Sequence, residues 1–139
     1  MRRRPRSRNL VLILARDLAD KLASAAFIVD EAGTLVYFNE RCGEILGMPY
    51  AEAGQMEMEH WSRVFSATDF HDRAIDPAEL PLVKALREQN PVHRKLRIQA
   101  ADEEVRDIAV TAMPLFAHTD ECVGAIALFW EHAEPPGEA

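Results

Sequence analysis

Residues 122–130 read CVGAIALFW, nine residues without a charge. A strand with one wet face alternates apolar and polar side chains with period two. This run does not alternate, so it reads as a strand covered on both faces. It stands near the end of a chain of 139 residues, after two other strand-like runs. A last strand buried at the centre of an antiparallel sheet needs a layer against each face. The length suits one domain with a single core.

Just before it, residues 105–116 place Ile108, Val110 and Ala112 on one face. Residues 92–99 alternate Val92, Arg94, Leu96 and Ile98 with His93, Lys95, Arg97 and Gln99, the pattern of an edge strand. Asp102, Glu103 and Glu104 make an exposed turn between these runs. Near the start, residues 26–30 (AFIVD) and 34–39 (TLVYFN) form a hairpin. Gly33 supplies the positive φ that a short turn needs.

Asn39 caps a short helix over residues 40–46, with Cys42, Ile45 and Leu46 on its inner face. Gly47 ends that helix in the left-handed region, and Pro49 blocks its continuation. Residues 50–80 are the least regular. A helical turn over 60–65 points Trp61, Val64 and Phe65 inward, and Asp76-Pro77-Ala78-Glu79 has a capping pattern. A helix over 81–89 starts on Pro81, buries Leu82, Val83 and Leu86, and stops at Asn90-Pro91.

Ahead of the first strand, Asn9 caps a helix over residues 10–23. Leu10, Leu14, Leu18 and Leu22 recur every four residues with Ile13 beside them, so the helix is amphipathic. The order is helix, two strands, short helices, three strands. This predicts an α+β fold with a five-stranded antiparallel sheet in the order 2-1-5-4-3. Short helices cover one face and the N-terminal helix the other. The expected divisions are a disordered basic tip (1–8), the helix (9–23), the domain proper (24–131) and a disordered tail (132–139).

The chain carries 16 Lys and Arg against 23 Asp and Glu, for a net charge of −7. Five arginines fall within residues 1–8, MRRRPRSR, which leaves 11 basic residues against the same 23 acidic ones. The body is therefore acidic and repels nucleic acid at long range. The basic tip reads as a solvated terminus before it reads as a contact to phosphate or membrane. The longest early apolar run, residues 10–15, is far too short to span a bilayer. No cleavable secretory signal follows it, so a cytoplasmic location is expected.

Cys42 and Cys122 lie 80 residues apart, in no metal-binding spacing, and read as small buried hydrophobes. The histidines are His60, His71, His93, His118 and His132, with no helical pairing that would hold a metal. The acidic pairs Glu57/Glu59 and Glu103/Glu104 fall in loops and turns, where carboxylates are solvated. Ser62 and Ser66 have no base partner, and no phosphate-loop, dinucleotide or nucleophile-elbow motif is present. No enzyme activity is expected.

The stretch Phe27-Ile28-Val29-Asp30, Gly33, Val36-Tyr37-Phe38-Asn39, Glu44-Ile45-Leu46-Gly47 resembles the opening of PAS domains. Glu79-Leu80-Pro81-Leu82 with Ala85-Leu86-Arg87 resembles the helix before their third strand, and residues 124–130 their last strand. The resemblance covers roughly residues 24–131 and implies a sensor or signalling module. PAS relatives that bind flavin carry Asn-Cys-Arg-Phe-Leu-Gln. Here Asn39-Glu40-Arg41-Cys42-Gly43-Glu44 departs from it, so a flavin adduct on Cys42 is not expected. Haem-binding relatives place a histidine on the long helix, and residues 81–89 contain none. No cofactor and no metal are expected.

Ile45, Trp61, Phe65, Leu82, Leu86, Ile98 and Val110 are the candidate lining of a ligand pocket, or else a filled core. The chain reaches its end about eight residues after the last strand, so a signal is expected to pass to a signalling partner or across a homodimer. The alternative is a constitutive dimerisation or adaptor domain without a ligand. The expected dimer contact is the N-terminal helix, through Leu10, Ile13, Leu14 and Leu18.

Overall fold

The computed structural model describes residues 4–118 and 120–131. Residues 1–3 of the expected basic tip, and the expected tail with His132, lie outside the described residues. The helices are α1 (Arg4–Ala19), α2 (Glu40–Leu46), α3 (Tyr50–Ala53), α4 (Met58–Val64) and α5 (Pro81–Glu88). The strands are β1 (Ala25–Asp30), β2 (Leu35–Phe38), β3 (Ala67–Thr68), β4 (Val92–Gln99), β5 (Val105–His118) and β6 (Glu121–Glu131). They form one antiparallel sheet in the order β2-β1-β6-β5-β4-β3.

The expected strand order stands, with one strand added. β3 joins the edge through Ala67 opposite Ile98 and Thr68 opposite Arg97. Two residues in an irregular stretch carry no periodic signal; the open edge of β4 recruits them. β6 lies inside the sheet, paired with β1 from Ala25 opposite Phe129 to Asp30 opposite Gly124. On its other side it pairs with β5 along nearly its whole length.

Both faces of β6 are covered, which is why its sequence does not alternate. Ala125, Ala127 and Phe129 face a core closed by α2, α4 and α5. Ile126, with Ala26 and Ile28 of β1, packs instead under Ala15 and Ala19 of α1. Gly124 sits at the tightest point of this seam. A Cβ there would lie 2.3 Å from the Val29 carbonyl oxygen and 3.3 Å from Leu12 of α1.

The N-terminal helix corrects two expectations. It begins at Arg4, so Asn9 lies within it and does not cap it, and residues 4–8 are helical rather than a disordered tip. It ends at Ala19 instead of continuing to residue 23. The Asn39 Nδ2 group donates to the Ala19 carbonyl at 2.8 Å. The chain then tightens, with Lys21 N–H donating to Leu18 O and Leu22 N–H to Ala19 O. Leu22 therefore leaves the leucine stripe.

Candidate functional site

The inner face of the sheet meets α4 and α5 around a cavity of about 90 Å³. Its floor follows the period-two pattern of the strands: Leu96 and Ile98 from β4, Ile108 and Val110 from β5, Ala127 and Phe129 from β6. Trp61, Phe65 and Leu82 close it from the helical side, and Phe27 of β1 borders it. Phe27 is the centre of an aromatic group. Its ring meets Trp61 edge-on at 5.2 Å and Phe65 at 6.4 Å, and stacks on Phe38 at 5.9 Å. Such contacts favour offset and edge-to-face geometry.

Trp61 is the one lining side chain with a polar atom, and that atom is engaged. Its Nε1–H donates to the Gly33 carbonyl at 2.9 Å, which ties α4 to the β1–β2 turn. The lining contains no titratable side chain. It offers neither acid, base nor nucleophile, and suits only an apolar guest.

Of the expected pocket residues, Trp61, Phe65, Leu82, Ile98 and Val110 meet at this cavity. Ile45 does not; it is buried in the core beneath α2. Leu86 lies one turn beyond Leu82 and is only partly buried against the core. Phe27, Leu96, Ile108 and Phe129 also line it and are not among the expected pocket residues, although the sequence pattern sets Leu96 on the face of Ile98 and Ile108 on that of Val110.

Behind the cavity lies a polar fastening that joins α1 to the domain. Asn39 is 4% exposed and uses its whole side chain. Its Oδ1 accepts from the backbone N–H of Ala26 and of Cys42, each at 3.0 Å. Its Nδ2 donates to the carbonyls of Ala19 and Ser24, at 2.8 and 3.0 Å. One side chain thus caps α2 and holds the end of α1, the linker and β1. Beside it, Tyr37 donates to the Asp20 carboxylate, and the Arg16 guanidinium lies 4.2 Å above the Tyr37 ring. Burial, and then the bond to Asp20, pushes the Tyr37 hydroxyl up to about 12.

On the far side of α1, Leu10, Ile13, Leu14 and Leu18 are 55, 60, 58 and 56% exposed. Cys42 is fully buried on α2, and burial pushes its thiol well above the ordinary range, so it resists forming a thiolate. His60, His71, His93 and His118 are all exposed. His93 lies on β4, its ring hydrogen-bonded to Thr111 at 2.8 Å. Among the described residues no three metal-ligating side chains come together. The pairs Glu57/Glu59 and Glu103/Glu104 are exposed.

No sequence model of a known family matches the chain, and no curated protein does. Solved structures do. A LOV protein from Rhodobacter sphaeroides superposes with a TM-score of 0.71 at 16% identity, over 92% of this chain and 71% of that one. The PAS domain of nitrogen regulation protein NR(II) from Vibrio parahaemolyticus gives 0.61 at 13% identity, over 86% and 98%. The PAS domain of Bordetella pertussis BvgS gives 0.59 at 17%, over 88% and 86%. The chain has the PAS fold. At these identities the likeness speaks for the architecture alone. Within the PAS fold of this chain the aromatic group and the cavity occupy the space between helices and sheet. No helix of the described residues is long and apolar enough to cross a membrane.

Proposed function

We propose that this chain is a PAS-type signalling module, without catalytic output, that senses a small apolar molecule in the cavity between α4, α5 and the sheet. The observation that carries this reading is a lining that is apolar throughout and free of titratable groups. The likeness to domains from a sensor histidine kinase and from a nitrogen regulation protein supports a signalling role. The cavity is smaller than the roughly 150 Å³ void that takes up benzene in an engineered core. Binding therefore requires the aromatic group to move, and a guest that prefers the moved state shifts the equilibrium toward it. The fastening at Asn39 carries that shift to α1. A cytoplasmic site of action belongs to the same reading.

Two observations weigh on flavin in opposite directions. The likeness to a LOV protein, a class that uses flavin, argues for keeping it among the ligands to be tested. The residues present do not fit it: the cavity is too small for three fused rings, offers no free polar atom to the ring edge, and has no cysteine in its lining. Haem is disfavoured because no histidine lies on α5 or among the lining residues.

The small volume also favours a second reading, an adaptor domain with a filled core. Native mass spectrometry and an absorption spectrum of the purified protein separate the two. They are followed by thermal shifts with indole, benzene and FMN. A retained molecule, or a melting temperature raised by indole or benzene, supports the sensor. No retained molecule and no shift with any of the three leaves the adaptor.

The signal passes, in this proposal, across a homodimer built on α1 or to a signalling partner. Four large apolar side chains more than half exposed on one helix support this reading. Leu14→Glu would place an uncompensated charge in it, costing about 2 kcal/mol or more. Sedimentation should show a dimer that becomes monomeric in the variant.

A further inference from the structure

We propose that the open half of the β4 edge takes an extended acidic segment of a partner protein as a further strand. This is independent of whether the cavity takes a guest. β4 lies next to last in the sheet, and its outer side is unequally covered. Arg97 and Ile98 face β3 there, and the Gln99 N–H donates to the Ser66 carbonyl at 2.9 Å. Among the described residues no strand pairs with that side of residues 92–96. Backbone groups alternate in direction along a strand. The Gln99 N–H points away from β5, so the N–H and C=O groups of His93 and Lys95 do too. They form a row that a further strand can use.

The filled half shows what such a strand brings. Ala67 and Thr68 have no strand pattern of their own, yet the edge holds them. The turn that follows adds an acid, whose Asp72 carboxylate accepts from the Arg97 guanidinium at 3.1 Å. Backbone pairing and a carboxylate on a basic side chain thus come together. The turn also ends the pairing: Asp69 Oδ1 accepts from the backbone N–H of His71 and of Arg73 and folds the chain back. Phe70 of that turn is 43% exposed, its ring 5.4 Å from the Arg97 guanidinium. It leaves an apolar surface where the two halves meet.

The open half has the same basic character and lacks the acid. Outside residues 1–8 the chain holds 11 basic residues against 23 acidic ones. Among the described residues no acid pairs with Arg94 or Lys95. These two project to opposite faces of the sheet, Lys95 exposed and Arg94 partly so. A strand bearing carboxylates meets one of them on either face, as a cross-strand pair of opposite charge. The same charges select against other strands. Two copies joined edge to edge would set Arg94 and Lys95 beside their own kind, and an uncharged strand would gain nothing from either. Basic side chains are a common guard against indiscriminate edge pairing.

The probes are capped octapeptides of alternating glutamate and valine, and of alternating lysine and valine, followed by NMR of the whole chain. The acidic peptide should shift and protect the amides of His93 and Lys95 and leave those of β1 unchanged. The basic peptide should bind at least about tenfold more weakly. Arg94→Glu with Lys95→Glu should invert that preference. N-methylation separates strand addition from plain charge attraction. Methylating every second backbone nitrogen of the acidic peptide blocks one of its two hydrogen-bonding edges. One phase of methylation should weaken binding about tenfold and the other leave it unchanged. Equal effects of the two phases, equal binding of the two peptides, or no binding at millimolar concentration overturns the proposal. So does protection of His93 and Lys95 that grows with protein concentration alone, which assigns the edge to a second copy.

Discussion

The two faces of the sheet are held by different means. On the inner face large side chains interlock, and Phe27, Phe38, Trp61 and Phe65 form one aromatic group. On the outer face, among the residues of α1 whose burial is described, Ala15 and Ala19 are buried against the strands and Leu12 partly so. These are fewer and smaller side chains than on the inner face, and apolar burial contributes about 25 cal/mol per Å². The C-terminal end of α1 is also held by polar contacts: the Asn39 bond to the Ala19 carbonyl, the Tyr37–Asp20 bond just past the helix and the Arg16–Tyr37 contact. Hydrogen bonds exchange with water at modest net cost, so such a helix can detach while the inner core stays folded. The proposed signalling role would use both parts, a non-specific apolar core and a directional polar fastening.

The largest expected effect lies where the faces meet. Gly124→Ala drives a Cβ to 2.3 Å from the Val29 carbonyl and should cost more than about 4 kcal/mol in urea unfolding. A normal midpoint would mean that β1 and β6 can spread, and that the seam is softer than either face. Next comes Asn39→Ala, which takes one partner from each of two N–H groups and two carbonyls, of which the Ala19 carbonyl keeps the Leu22 N–H. A loss of about 3 kcal/mol is expected, together with proteolytic cutting near residues 19–24. If stability falls without release of α1, the residue serves the core alone.

Hydrogen exchange compares the faces directly. Amides of residues 125–128, paired on both sides within β6, should be the slowest in the chain. Those of residues 10–18 should exchange by local opening, orders of magnitude faster. Equal protection would remove the distinction between the faces. The smallest effect concerns Tyr37. Between pH of about 10 and 12 the folded chain holds its phenolic proton while the unfolded chain loses it, so stability falls as pH rises through that window. Tyr37→Phe should flatten this slope, at a cost of about 1 kcal/mol below it.

The uncharged run over residues 122–130 was enough to place β6 inside the sheet, and the alternation over 92–99 was enough to place β4 toward its edge. Those patterns record which faces avoid water, and that information is local. Asn39 was legible as a helix cap for the same reason, since capping spans three residues. Its hold on Ala19 was not legible, because a side chain with four hydrogen-bonding sites does not announce partners 15 and 20 residues away. The C-terminal limit of α1 was misread on that account: the pattern continued the helix to residue 23, whereas it ends at Ala19, where Asn39 takes the carbonyl. β3 was invisible because two residues have no period. The cavity was half legible. Alternation set Ile98 and Val110 inward, but whether Ile45 or Phe27 reaches the empty space depends on how helices settle on a twisted sheet. Periodicity reports burial, whereas a void is what packing leaves unfilled, and only the assembled fold decides where that is.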